Sequence, residues 1–214
     1  MNIIGNLVCL QELFLNRCYN LCELPQSIGN LSKLRILEME ENYSLSVLPP
    51  SFSILTSLEH LKSGGCRLPQ DIGDFSSLEV LCLKSYKFSS LPASFSSLPR
   101  LNKLYLQHCT ELIELSTFPK ELLELFIEDN LGLRKISSWS HMKRLKLLRI
   151  HNCRELVELP DFASQQSLQN LSISKCENVE RIAGLEGLRS LRKLHVVGCG
   201  LHVARNSNSI LRPF

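Results

Sequence analysis

The chain has 214 residues, of which 44% are hydrophobic and 21% are charged, and its formal net charge is +3. These values are typical of a soluble globular protein, and the small basic excess excludes the footprint of a nucleic-acid-binding or membrane-surface protein. No apolar run approaches the roughly 18 residues that a membrane-spanning helix needs. The nine cysteines are an odd number, which a closed disulfide framework does not explain, so we predict a reducing compartment, the cytoplasm or the nucleus.

One leucine pattern recurs along the chain. Its first unit has Leu7, Leu10, Leu13, Leu15, Cys18, Leu21, Leu24 and Pro25, and the second unit repeats it from Leu31 to Pro49. The template LxxLxxLxLxx(C/N)xxLxxLP fits nine units. We call the (C/N) position the column; its residues follow one another at steps of 24, 24, 20, 23, 21, 23, 23 and 23 residues. These steps lie within the range of a leucine-rich repeat.

The period predicts an α/β solenoid of the leucine-rich repeat horseshoe type, with about nine repeats of 20–24 residues. No unit can bury its apolar side alone, so leucines of neighbouring units must stack into one continuous core. Within the LxL part of each unit, inward leucines alternate with outward residues, which is the period of a β-strand. We therefore predict a parallel concave sheet and an irregular or 3-10 convex side.

The return segments carry a second signal. Proline suits the Leu-Pro step because the return side has no strand ladder. Its missing N–H therefore costs little there, and its fixed φ directs the turn. It precedes the short segments SIGN at 27–30, SFSI at 51–54, DIGD at 71–74 and SFSS at 94–97. We predict brief capped or 3-10-like turns here, with the Ile or Phe filling the convex side of the core.

The domain organisation follows from the repeat limits. Residues 1–200 are predicted to form one leucine-rich repeat domain, and residues 201–214 a carboxy-terminal tail. Ile3 to Leu7 matches Ser27 to Leu31, so the chain is expected to begin inside the tail of a preceding repeat, and neither end shows a clear capping segment.

The column raises the question of chemistry, because Arg149-Ile150-His151-Asn152-Cys153 places a histidine two residues from a cysteine. A catalytic thiolate would need a histidine within reach. The column is expected to face inward at the turn that follows the strand, so we predict that Cys153 points inward and His151 outward. We predict a structural role for the column, satisfying backbone groups of the turns, and no enzyme, cofactor or metal site. Besides Tyr86, the column consists of Cys18, Asn42, Cys66, Cys109, Asn130, Cys153, Cys176 and Cys199.

The outward strand positions are the candidate binding residues, because their chemistry changes from unit to unit while the buried positions stay leucine. Aromatic and arginine side chains carry much of the binding energy at protein interfaces. The proposed contacts on the concave face are Tyr105, Phe126, Arg149 and His151 on consecutive strands, with Phe14, Glu38 and Lys62 nearer the amino terminus.

The string LxxLP-x-SIGNL-xx-L, from Leu21 to Leu34, together with cysteine in the column, resembles the leucine-rich repeats of plant intracellular nucleotide-binding disease-resistance receptors. The resemblance implies recognition of a pathogen effector or a guarded host protein, and contact with the receptor's own nucleotide-binding domain. That domain's phosphate loop needs a Gly-Lys pair, which this sequence lacks, so nucleotide binding is not expected of this chain.

Two alternatives stay open at this point. One is a stand-alone intracellular repeat scaffold, similar to the LxxLP repeat proteins that bind small GTPases. The other is a redox or metal-binding protein that uses the column cysteines.

Overall fold

The computed structural model describes residues 3–66, 72–137 and 139–201. Nine strands in it belong to the repeats and two short ones lie on the return side. The strands are β1 (Glu12–Phe14), β2 (Ile36–Met39), β3 (His60–Gly64), β4 (Val80–Lys84), β5 (Lys103–Gln107), β6 (Glu114–Leu115), β7 (Glu124–Glu128), β8 (Lys135–Ile136), β9 (Leu147–His151), β10 (Asn170–Ser174) and β11 (Lys193–Val197). Within these three ranges, no helix has the length and apolar character needed to cross a membrane.

The main sheet has nine strands in the order β1-β2-β3-β4-β5-β7-β9-β10-β11, and all its pairings are parallel. The register places the first leucine of each LxL opposite its counterpart, as in Leu125↔Leu148↔Leu171. Each strand is therefore displaced by one whole repeat from its neighbour. The predicted leucine-rich repeat solenoid is confirmed.

The core lies between this sheet and the return segments. The inward leucines of the central strands are fully buried, among them Leu104 and Leu125. Behind them stand large aromatic side chains from the return segments. These are Phe52, Phe75, Phe95, Phe118, Trp139 and Phe162, none more than 1% exposed.

The return side contains 3-10 helices, at Ile4–Asn6, Gln26–Asn30, Pro50–Ile54, Ile72–Asp74, Ala93–Ser97 and Leu185–Gly187. No α-helix occurs in the described ranges, so the helical part of the fold is 3-10 only. The predicted plugs Ile28, Phe52, Ile72 and Phe95 are all 0% exposed. Of the predicted capped or 3-10-like turns, the 3-10 form is present. Pro25, Pro49 and Pro92 occupy the N-cap positions, and a proline side chain has no acceptor for a capping hydrogen bond.

The middle of the return side forms a second, two-stranded sheet, which was not predicted from the sequence. β6 pairs with β8 in parallel, and Lys135 bridges to Glu158. In these units, inward Leu115 and Ile136 alternate with outward charged residues, which is the period of a strand. The return segments there pair with one another.

Each unit reverses direction through one left-handed residue. The residue directly before each column position has a positive φ, between 51° and 80°. Only two of the nine are glycines; the set is Arg17, Glu41, Gly65, Ser85, His108, Asp129, Asn152, Lys175 and Gly198. This conformation costs a residue with a side chain about 1–2 kcal/mol, so the hydrogen bonds of the turn must offset it.

Five column side chains make such hydrogen bonds to the preceding unit, namely those of Asn42, Cys109, Asn130, Cys153 and Cys199. Asn130 donates through Nδ2 to the Leu106 carbonyl at 2.9 Å and accepts the Cys109 amide at 2.8 Å. Cysteines make the longer version of the same contact, as Cys109 does to the Leu83 carbonyl at 3.8 Å. Asn42 donates to the Leu15 carbonyl at 2.9 Å, but its Oδ1 has no partner in the described part of the chain.

The column residues are less buried at the two ends of the solenoid. Cys18 is exposed and Cys199 is partly exposed, because β1 and β11 are the outermost strands of the sheet and each has one neighbour. Cys66 bonds differently from the other column residues: Ser63 Oγ lies 2.7 Å from the Tyr86 hydroxyl, and the Cys66 thiol lies 3.2 Å from both. Of the predicted tail 201–214, residues 202–214 lie outside the described residues.

The two asparagines of the column permit a matched test. Asn130→Ala would leave a buried amide and a buried carbonyl unpaired, each worth about 1–3 kcal/mol, whereas Asn42→Ala would leave only the carbonyl. We expect Asn130→Ala to lower the free energy of unfolding by about 2–4 kcal/mol and Asn42→Ala by about half as much, measured by urea unfolding. Equal losses in the two variants would contradict the hydrogen bonds assigned to Asn130 and Asn42.

Candidate functional site

Three outward side chains per strand form the open face of the sheet. The second and third positions are those predicted from the sequence as contacts, as with Arg149 and His151 on β9. The first position was missed, although it directly precedes the first inward leucine of LxL. Those residues are Glu12, Ile36, His60, Val80, Lys103, Glu124, Leu147, Asn170 and Lys193.

Tyr105 and Phe126 form an aromatic pair at the centre of the face. They are register partners on β5 and β7, and their rings stack with centroids 4.4 Å apart and planes 6° apart. Partial burial raises the pKa of the Tyr105 phenol, so the hydroxyl is present as a hydrogen-bond donor at neutral pH. The pair offers a rigid apolar surface with one polar end.

Arg149 stands beside this pair, as the register partner of Phe126. Its Nε lies 3.1 Å from Glu128 Oε1 in an ion pair, and Gln107 Nε2 donates to the other Glu128 oxygen at 2.9 Å. The chain of contacts fixes the guanidinium while half of the Arg149 side chain stays exposed. The structure thus brings Tyr105, Phe126 and Arg149 together on three adjacent strands.

His151 and Cys153 lie on opposite sides of the sheet. The ring Nδ1 of His151 is 2.8 Å from Ser174 Oγ on the neighbouring strand. The Cys153 side chain is fully buried, and its thiol reaches the backbone carbonyls of Ile127 and His151 at 3.9 and 3.6 Å. A hydrogen bond with Cys176 and burial raise the pKa of Cys153. No thiolate-imidazole pair forms here.

The amino-terminal part of the face is a network of ion pairs, separate from the aromatic pair. Glu38 binds Lys62 at 2.6 Å and accepts from Asn16 at 3.0 Å, and the Lys62 hydrogen bond lowers the pKa of Glu38. Glu41 binds both Lys84 and Arg17. Phe14 is 56% exposed on the outermost strand. These acids have basic partners within the chain itself.

Cys82 is the one outward cysteine on the face, and it is only 8% exposed. Its thiol lies 3.7 Å from Glu40 Oε1, two strands away. Burial, with the nearby Glu40 charge, raises the pKa of Cys82 to about 12. The thiol is therefore protonated and shielded at neutral pH, and it lacks the properties of a nucleophile.

A hollow of about 590 Å³ opens on the carboxy-terminal part of the face. Its lining combines apolar and polar side chains from β7 to β11. These residues are Phe126, Leu147, Leu148, Arg149, Asn170, Leu171, Ser172, Lys193 and His195. Two of the predicted contacts, Phe126 and Arg149, thus border a concavity that the sequence did not reveal.

The described residues contain no cluster of metal-ligand side chains. No group of three or more His, Cys, Asp or Glu side chains within residues 3–66, 72–137 and 139–201 has a suitable arrangement. All nine cysteines are free thiols. Column thiols such as those of Cys109 and Cys153 contact backbone carbonyls of the preceding unit.

Solved structures share this fold. A chain of the Toll–Spatzle complex from Drosophila matches with a TM-score of 0.60 and 20% identity over 91% of this chain and 31% of that chain. A plant ice-binding protein matches with 0.57 and 20% identity, over 97% of this chain and 80% of that chain. The leucine-rich repeat domain of the type III effector XopL gives 0.56 and 21% identity, over 90% and 70%. No protein-family model and no curated protein matches the sequence.

Thiol reactivity will separate the structural column from a redox or metal site. Cys9, Cys18 and Cys22 are exposed, whereas Cys66, Cys82, Cys109, Cys153 and Cys176 are buried. Burial raises the pKa of Cys109 to about 11, so its reactive thiolate is scarce at pH 8. We expect three thiols to react quickly with Ellman's reagent, Cys199 more slowly, and the buried five only after unfolding. Nine titratable thiols in guanidinium are the control, and bound zinc would contradict this assignment.

Proposed function

We propose that this protein is a non-enzymatic recognition module that binds a partner protein on the open face of its sheet. The leucine-rich repeat fold supports a role in protein interaction, because it holds many variable side chains on one rigid surface. The observation that carries the proposal is the preorganised cluster of Tyr105, Phe126 and Arg149. Aromatic and arginine side chains at the centre of a surface are the residue types that dominate binding energy.

Preorganisation strengthens this proposal. The two rings already stack on one another, and Glu128 already orients Arg149. Little side-chain entropy is then lost when a partner binds, which raises the affinity obtained from a given contact area. The mixed polar and apolar character of the cluster suits a protein surface better than a single small substrate.

The finer proposal is that the module belongs to a plant intracellular immune receptor, in the cytoplasm or the nucleus. It would bind a pathogen effector or a guarded host protein, and would contact the receptor's own nucleotide-binding domain. Support comes from the LxxLP-x-SIGNL-xx-L string between Leu21 and Leu34 and from cysteine in the column. The gene tests it: a GxxxxGK(S/T) loop encoded upstream in the same reading frame is expected, and a stand-alone reading frame would contradict it.

The binding face can be tested with a matched pair of aromatic variants. Tyr105→Ala/Phe126→Ala removes the stacked pair on the face. Tyr19→Ala/Tyr43→Ala removes a second stacked pair, with centroids 6.4 Å apart, that lies beyond the strand ends. Partners selected with the wild-type chain from a displayed protein library should bind the first variant at least tenfold more weakly. They should bind the second variant within twofold of the wild type.

Both variants should keep the circular dichroism spectrum of the wild type, because the four side chains are partly or fully exposed. Unchanged affinity for the Tyr105→Ala/Phe126→Ala variant would place recognition elsewhere and overturn the proposal.

A further inference from the structure

Positive charge is balanced along most of the open face but not at its carboxy-terminal end. In the main-sheet strands from β2 to β9 the outward lysines and arginine have acidic partners, as in Lys62–Glu38, Lys103–Glu124 and Arg149–Glu128. Strands β9, β10 and β11 contain no acidic residue. Lys193 and His195, on β11, make no ion pair with any described residue. The unbalanced charge coincides with the hollow.

The polar groups that line the hollow are donors or can act as donors. Arg149, Lys193 and Asn170 contribute N–H groups, while Ser172 and His195 contribute a hydroxyl and an imidazole. No carboxylate lines it. A ligand that accepts hydrogen bonds and carries negative charge satisfies these groups, whereas Arg149 and Lys193 would repel a basic ligand.

Arg149 is held so that its free edge is available. Its ion pair with Glu128 joins Nε to Oε1 at 3.1 Å, and no hydrogen bond joins its terminal nitrogens to the described part of the chain. A planar guanidinium fixed by one carboxylate can still bind a second one through its remaining N–H groups. Phe126 and Leu147 supply apolar surface next to it.

Strand spacing sets the length of the ligand. β9 and β11 are two strands apart in the sheet, so Arg149 and Lys193 arise from backbones separated by about 10 Å. An extended segment of the polyproline II type has three residues per turn and advances about 3.1 Å per residue, so side chains three residues apart point to the same side, about 9 Å from each other. Two acidic side chains three residues apart would therefore span the two cations when the segment crosses the strands.

We propose that the hollow binds an extended acidic segment of a protein partner, with two carboxylates three residues apart and an apolar side chain on Phe126. One carboxylate pairs with Arg149, and the other pairs with Lys193 beside His195. This proposal rests on the proposed function and specifies the chemistry of the partner. Selection for acidic residues would then lie at the carboxy-terminal end of the open face, and apolar contact at its centre.

The test uses the complete 214-residue chain and a phage library of random heptapeptides. We expect enrichment of peptides with Asp or Glu at two positions three residues apart. A synthetic heptapeptide of this kind should lose at least tenfold in affinity when both acids become Gln, and should weaken between low and high salt. Enrichment without acidic residues would overturn the proposal.

Charge reversal on the protein supplies the matched control. Lys193→Glu should weaken the acidic peptide at least tenfold. Lys143→Glu makes the same change of net charge at an exposed position on the return side, and should leave affinity within twofold. Retained affinity in Lys193→Glu would overturn the assignment. Equal competition by a twenty-base-pair DNA duplex would also overturn it, because the hollow would then be a general polyanion surface.

The outcome also separates this inference from the broader function. If library partners depend on Tyr105 and Phe126 but tolerate Lys193→Glu, the recognition face stands and the acidic-segment assignment fails. If they tolerate both sets of changes, both fail.

Discussion

Stacking of equivalent leucines in register is the interaction on which the rest of this structure depends. Each unit contributes inward side chains such as Leu125 and Leu148 that only the neighbouring units can cover. Because one whole repeat separates adjacent strands, every position of the template meets its counterpart. The open face, the column and the aromatic layer of the return side are consequences of this register.

The register also explains why costly local geometry is tolerated. Nine turns use a left-handed residue, and seven of these residues carry a side chain. At five of these turns the adjoining column residue hydrogen-bonds to the preceding unit, as Asn130 does to Leu106 and Cys109. Both asparagine and cysteine suit the position, because either can donate to the carbonyl of the preceding unit. This packing explains Cys153, while Arg149 and His151 in the preceding strand face the solvent side.

The open face is divided by charge. Its amino-terminal part neutralises its own acids through pairs such as Glu38–Lys62, its centre is the stacked pair Tyr105 and Phe126, and its carboxy-terminal end leaves Lys193 unbalanced. A self-neutralised surface has little electrostatic attraction for a partner, whereas an unbalanced one steers an oppositely charged segment toward it. This division is the physical basis for assigning apolar contact and acidic recognition to different strands.

The sequence by itself determined the solenoid, its nine strands, the direction of each strand residue and the neighbours of Arg149, because a fixed period leaves one register in which leucines stack. It did not foresee the second sheet at Glu114–Leu115 and Lys135–Ile136, or the exposure of Cys18. Only the tertiary structure decided which charges pair, that Glu40 shields Cys82 from two strands away, and that a hollow opens beside Arg149. The reason is that leucine stacking fixes where each outward side chain starts, while its end point depends on the conformations of long side chains on several neighbouring strands.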